Sequence, residues 1–334
     1  MTTIPNISVI IPSNHGHHDL LKVVDAICGQ TVKPAEIIIV DSSCEGGACP
    51  IEITTQCADC GIELIYEHFA LALPGQARNI GLGKANAALI AFIDVQTIPR
   101  KCWLEASLTL LENESAVGVF GGTSFSAETS FERLVRDAFH GILPRKTLPG
   151  SVFRKDVFAK VGQFIDWVRA GEDTDWMLRL ELLNISVLYP SSALIDYVGL
   201  IGLDIKKLLK KWYRNYTASH DLPHLFPQKL FLWLVLYPLI IFTAFNWNYL
   251  IANWRMDSPL YIGHITKMAA IFPPLAYVVT RGIFLPLRRG VNFSSLFPVR
   301  FIAIAGICFM ADAVKAFVFS TFKGKRNVSQ INLS

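Results

Sequence analysis

Apolar residues fall in two textures along the chain. Up to about residue 225 they come in short runs separated by polar and turn residues; across 229–320 they come in long ones. The short runs predict strands. Ile7-Ser8-Val9-Ile10-Ile11-Pro12 is stopped by its proline, and Ile37-Ile38-Ile39-Val40 lies between Glu36 and Asp41. Further strands are expected at 62–66 and 89–97. Polar residues 13–18 form a loop after the first strand. Asp19 then caps a helix over 19–30 whose apolar face holds Leu20, Val23, Val24 and Ile27. A second helix is expected over 74–88. Strands joined through helices make right-handed βαβ units, so the fold class is α/β with a mixed, mostly parallel, Rossmann-like sheet.

The run 89–97 organises the rest. Its apolar residues close on Asp94, which places a carboxylate at the carboxyl end of a buried strand, where open α/β sheets bind ligands. A carboxylate there can hold a cation against a diphosphate or accept hydrogen bonds from a sugar; it can also cap the next helix. A second acidic cluster follows Gly171: Glu172, Asp173 and Asp175 open a helix with Trp176, Met177, Leu180 and Leu183 at apolar spacing. Acids in a first turn complement the helix dipole, but three exceed what a cap requires, which favours a chemical role for Asp173.

The long runs change the class of protein. Of 334 residues 52% are hydrophobic, and segments 229–252, 260–285 and 298–320 each reach the ~20 residues that cross a hydrocarbon core. Asn246 and Asn248 interrupt the first and Pro273-Pro274 the second. The third carries Asp312 and Lys315 on one helical face, placed to pair with each other or with another span. Just before these segments, 204–216 sets Lys206, Lys207, Lys210, Lys211 and Arg214 against a leucine-rich side with Trp212 and Tyr213, a basic amphipathic helix suited to a membrane interface. The organisation expected is a domain over 1–200, an interfacial helix and linker over 201–227, membrane helices over 228–322 and a tail over 323–334.

The net charge of +4 lies largely near these helices and fits anionic lipid headgroups better than nucleic acid. The start of the chain lacks the pattern of a secretory signal, so a multi-pass membrane protein with a cytoplasmic catalytic domain is expected. A basic 281–300 loop on the cytoplasmic side agrees with the positive-inside bias, whereas three full crossings would put Lys323, Lys325 and Arg326 outside; the number of crossings stays open. Seven cysteines, an odd number, point to reduced thiols. The cluster Cys44, Cys49, Cys57, Cys60 lacks a second C-x-x-C or a suitable histidine spacing for zinc. His15, His17 and His18 are expected in a solvated loop beside the ligand cleft.

Seven segments in order carry a family resemblance. Ser8–Pro12, Glu36–Ser43, Ala77-Arg78-Asn79-Ile80-Gly81 and Phe92-Ile93-Asp94-Val95-Gln96 resemble the strands, A-R-N-x-G and D-x-D of glycosyltransferase family 2, the GT-A fold of nucleotide-sugar enzymes. Phe153–Phe158, Val161–Phe164 and Gly171–Trp176 are similar to its acceptor-side half. The resemblance covers roughly 5–198 and implies an inverting transfer from a nucleotide-sugar donor. It implies that Pro12, Ser13 and Asp41 line the nucleotide pocket, and that Arg78 lies near the diphosphate, unless it serves only in a structural salt bridge. Asp94 would meet the ribose and a metal-bound diphosphate, and Asp173, paired with Glu172, would act as catalytic base.

Two positions depart from the family pattern. The second acid of D-x-D is Gln96, and the histidine usual after Tyr189-Pro190 is absent, with Asp196-Tyr197 near its place. The expected cofactor is therefore Mg²⁺ or Mn²⁺ held by Asp94, with Asp196 as a second candidate ligand. The acceptor expected is membrane-associated: a polyprenyl-linked glycan or a surface polysaccharide. Two alternatives stand beside this, a non-catalytic nucleotide-sugar-binding subunit and a polyprenyl-phosphate sugar synthase.

Overall fold

The β-branched runs form the middle of one eight-stranded sheet. The computed structural model describes residues 6–14, 17–113, 116–220, 222 and 228–321, with backbone only at His17, Asn113, His220 and 228–237. Strands β1 (Ile7–Ser13), β2 (Glu36–Asp41), β3 (Glu63–His68) and β4 (Leu89–Phe92) are parallel in the order β3-β2-β1-β4. Beyond β4 the order continues β7-β6-β8-β5, where β5 is Thr97–Pro99, β6 is Gly118–Phe125, β7 is Arg145–Arg154 and β8 is Ile195–Tyr197. β7 is antiparallel to both β4 and β6, and β8 runs parallel to β6.

Alternation along β1 sorts its side chains between two layers. Ile7, Val9 and Ile11 pack with Leu20, Val23 and Ile27 of α1 (His17–Cys28), Ile53 of α2 (Ile51–Cys60) and Trp103 of α4 (Trp103–Asn113). Ile10 faces the other layer, with Leu82 of α3 (Pro74–Lys84), Val157 of α6 (Val157–Val161) and Trp176 of α7 (Glu172–Leu182). Both faces are covered, which is why these strands read as continuous apolar runs.

Two elements stop earlier than expected. The run 89–97 leaves the sheet after Phe92 because the Thr97 hydroxyl closes a turn on Asp94, accepting from its N–H at 2.9 Å and donating to its carbonyl at 2.6 Å. Thr97 then opens β5 at the far edge. The helix expected over 74–88 ends at Lys84, because the next residues serve the base of the sheet: Lys155 donates to the Ala85 carbonyl and Asn86 binds Glu36 through its backbone and side chain.

Downstream lie α5 (Ser130–Phe139), α8 (Ile205–His220), α9 (Gln228–Leu250), α10 (Ile265–Val279), a π-helical turn at Thr280–Phe284, α11 (Leu285–Arg288), α12 (Phe293–Leu296) and α13 (Arg300–Thr321). Among the described residues two helical stretches are long and apolar enough to cross a membrane, Ile265–Arg288 with 24 residues and Arg300–Thr321 with 22. The second is not separate from the sheet domain. Ile304, Ile307, Cys308 and Ala311 of α13 form a core with Val135 and Ala138 of α5 and Leu208 and Trp212 of α8. Trp212, expected as an interfacial anchor, is buried there, while Lys206, Lys207 and Lys210 stay exposed. Arg300 reaches the buried Asp137 at 2.6 Å. Asp312 pairs not with Lys315 but across helices, with Arg281 at 2.5 Å and the Tyr277 hydroxyl at 2.8 Å. Lys315 instead stands over the Tyr216 ring. Asn248 binds the backbone of Ile262 in both directions and ties the end of α9 to the loop before α10. His15, the linker 223–227 and the tail from 322 onward lie outside the described residues.

His140 closes α5 beside this core. It stacks on Phe125 at 3.7 Å, and burial, with Lys211, Arg145 and Arg289 nearby, pushes its imidazole down to about 3. The folded state therefore binds its proton less readily than the unfolded chain, where the ordinary value is 6.5. Stability is full above that value and falls as pH drops towards 3. Between pH 7 and pH 5 the protein is expected to lose about 2 kcal/mol relative to a His140→Gln variant. Denaturant melts of both proteins at the two pH values check this, and parallel pH dependences would refute it.

Candidate active site

The strand order reverses at β1: the chain lays β2 and β3 on one side of it and then returns to lay β4 on the other. A crevice opens at the carboxyl ends of β1 and β4, the usual ligand position in such sheets. It is a cavity of about 560 Å³ whose walls include Pro12, Ser13, Ser42, Arg78, Asp94 and Asp173. The strand ends are fixed by Ser42, whose N–H and hydroxyl both donate to the Ser13 carbonyl at 2.8 and 2.7 Å.

Each residue of the A-R-N-x-G segment has a separate task on α3. Ala77 is buried against the sheet. Asn79 holds Phe164 by exchanging two backbone hydrogen bonds, at 2.8 and 3.0 Å. Gly81 lets α3 lie directly on β1, since a Cβ there would come within 2.5 Å of the Ile10 side chain. Arg78, only 3% exposed, is the hub: its Nη1 meets Glu172 Oε1 at 2.5 Å and its Nη2 meets Asp94 Oδ1 at 2.8 Å. Gly171 turns the chain into α7 with φ +93°, a conformation that favours glycine. Glu172 then points inward to Arg78 while Asp173 lines the cavity, its Oδ1 accepting from the Thr174 N–H at 2.7 Å.

The electrostatics follow from this arrangement. Burial alone would weaken the Arg78 charge, but Asp94, Glu172 and Asp173 together hold the guanidinium above its ordinary range. Burial lifts the Glu172 carboxyl above the usual carboxylate range; Arg78 opposes that and Asp173 adds to it. Glu172 Oε2 is buried without a hydrogen-bond partner. Among the described residues nothing bonds to Asp94 Oδ2, and the Asp94 side chain is 37% exposed.

Not every expected residue joins the cavity. Glu172, expected beside Asp173 as a catalytic residue, reaches the cavity wall but is almost fully buried, with its Oε1 committed to Arg78. Asp196 is not among the residues that line the cavity with Asp94: Arg100 takes both its oxygens at 3.0 and 2.8 Å, and Ser124 donates to it as well. Burial would raise its pKa, but these partners hold it below the ordinary range. Gln96 turns to a neighbouring cleft and accepts from the Tyr197 hydroxyl at 3.2 Å. Asp41, at the end of β2, is buried and does not line the cavity; Ser43 and the Tyr66 hydroxyl bind it, outweigh burial and keep its carboxyl low. Arg169, Tyr197 and Arg214 also line the cavity. They come from three places, the loop before α7, β8 and α8, a convergence that no local spacing records.

Among the described residues, no group of three or more His, Cys, Asp or Glu side chains could enclose a metal. The donor set at the cavity suits a cation held by Asp94 Oδ2 with the remaining positions filled by phosphate and water.

Residues 8–164 match the family Glycosyl transferase family 2. They form a family 2 glycosyltransferase domain. The chain is 27% identical over 229 residues to the pre-mycofactocin glycosyltransferase of Mycobacterium tuberculosis, covering 62% of this chain and 44% of that protein. It is 26% identical over 227 residues to glycosyltransferase AglE of Haloferax volcanii, covering 64% and 72%. The chain thus spans less than half the length of the mycobacterial relative. Mannosyltransferase PcManGT from Pyrobaculum calidifontis, solved with GDP-Man and Mn²⁺, superposes with a TM-score of 0.53 at 14% identity, covering 97% of this chain and 89% of that one. The shared architecture is the GT-A fold.

The Arg78–Glu172 pair generates a stability test. Arg78→Met strands a buried carboxylate and is expected to cost about 3–5 kcal/mol, whereas adding Glu172→Gln recovers a large part of that loss. Chemical denaturation of both single variants and the double variant measures the coupling; additive losses would show that the pair does not act as a unit.

Proposed function

We propose that this family 2 glycosyltransferase domain transfers a sugar, with inversion, from a nucleotide-sugar donor to a hydroxyl on a membrane-associated acceptor. The observation that carries this is the presence of Asp94 and Asp173, from distant parts of the chain, on the walls of one cavity around a single buried arginine. Pro12 and Ser13 line the cavity and would meet the nucleotide, with Asp41 behind them at the carboxyl end of β2. Arg78 and Arg214 supply positive charge where a diphosphate would leave, which is the charge that develops in the transition state. Asp173 takes the acceptor proton as the acceptor oxygen bonds to the anomeric carbon and the nucleoside diphosphate departs. Asp94 would hold a divalent cation, which when bound neutralises the leaving diphosphate. The Mn²⁺ and GDP-Man named with PcManGT, and the glycosyltransferase names of the relatives, support this reading. The two apolar stretches support a membrane anchor; the catalytic domain would face the cytoplasm, where nucleotide sugars are made.

Asp173→Asn is expected to lower kcat by about 10²–10⁴ while donor affinity stays within about threefold. Glycan synthesis by the variant at the wild-type rate would remove Asp173 as base and favour a non-catalytic donor-binding subunit. Turnover is expected to rise with added Mg²⁺ or Mn²⁺ and to fall in excess chelator. Equal rates with and without chelator would take the cation out of the mechanism.

A further inference from the structure

A second cavity, of about 760 Å³, adjoins the first and shares Arg169 and Arg214 with it. Five cations line it: Arg169, Lys207, Lys210, Lys211 and Arg214. Among the described residues, no Asp or Glu lines it. Asp204 pairs with Lys207 from outside the cleft, only at 3.9 Å, and Lys211 is held by the Tyr197 hydroxyl at 3.0 Å rather than by an acid. So many like charges on one concave wall repel one another unless an anion occupies the space between them.

The surroundings identify the kind of anion. The donor diphosphate is already provided for in the first cavity, beside Asp94 and Arg78. The cleft is walled by α8, which buries Leu208 and Trp212 against α13, a helix apolar enough to cross a bilayer. Trp167, Ile201 and Tyr213, each more than two-fifths exposed, add apolar surface to the same cleft. We propose that this cleft binds the acceptor of the transfer proposed above, and that this acceptor is a lipid bearing a phosphate or diphosphate. The anionic group sits among the α8 lysines, and the hydroxyl to be glycosylated reaches past Arg169 and Arg214 to Asp173. The inference rests on the proposed transferase reading for the word acceptor, but the anion site itself does not.

The test uses the full chain in phosphatidylcholine nanodiscs, titrated with a fifteen-carbon isoprenyl diphosphate, the corresponding isoprenyl alcohol and inorganic pyrophosphate, and read by tryptophan fluorescence. The diphosphate lipid is expected to bind at least tenfold more tightly than either the alcohol or pyrophosphate, and more weakly as salt rises. Lys207→Gln/Lys210→Gln, at two exposed positions that line only this cleft, is expected to weaken that binding about tenfold or more. Thermal stabilisation by nucleotide-sugar donor should be unchanged in that variant, which also shows that it folds. Equal binding by variant and wild type would overturn the proposal. So would pyrophosphate or the alcohol binding as tightly as the diphosphate lipid, or complete competition by nanodiscs containing phosphatidylglycerol, which would make the lysines a headgroup patch. Displacement by donor alone would assign the ligand to the first cavity and likewise overturn it. If Asp173→Asn leaves turnover intact while lysine-dependent binding persists, the transferase reading fails and the anion site stands.

Discussion

One buried guanidinium holds the site together. Arg78 joins Asp94, from the turn after β4, to Glu172, at the start of α7, so three separate elements share a single charge. Burying an arginine is costly unless acceptors surround it, and here the acceptors come from the two parts of the chain that must approach for a cavity to exist. The interaction therefore fixes geometry more than it adds stability. It also sets the division of labour between adjacent acids, with Glu172 committed to the interior and Asp173 left on the cavity wall.

Much of the scaffold was legible because its cues are local. β2 runs from Glu36 to Asp41 as its β-branched core predicts, and α1 lies within two residues of its expected bounds. The cavity end of β1 follows from Pro12 and the polar residues after it. Sequence failed where a side chain chose a distant partner. Nothing near Asp196 announces Arg100, nearly a hundred residues earlier, as the group that occupies both its oxygens. Nothing in Glu172-Asp173 says which of the two turns inward; that depends on the positive φ of Gly171 and on Arg78 waiting beneath it. The short β4 has a local cause, the Thr97 hydroxyl, but the apolar pattern through Val95 hides it.

The division into a soluble half and a membrane half was the coarsest part of the reading, and the structure refines it. Apolar composition marks α13 as able to span a bilayer, yet a third of its most apolar stretch is buried within the protein, against 6% for Ile265–Arg288. Hydropathy reports how a helix would partition, not what it touches. Asp137, buried in α5 and paired with Arg300, marks the joint, since an acid there would be costly without its partner.

α8 carries the consequence into the site. Its apolar face is set by α13 through Leu208 and Trp212, and its cationic face supplies Arg214 to the donor cavity and Lys207, Lys210 and Lys211 to the cleft beside it. A shift of α13 would displace the packed face of α8, and because close-packed helices move as units, the cations would travel with it. Helix α13 is thus mechanically part of the cavity wall, and its position relative to the cavity is set by side-chain packing.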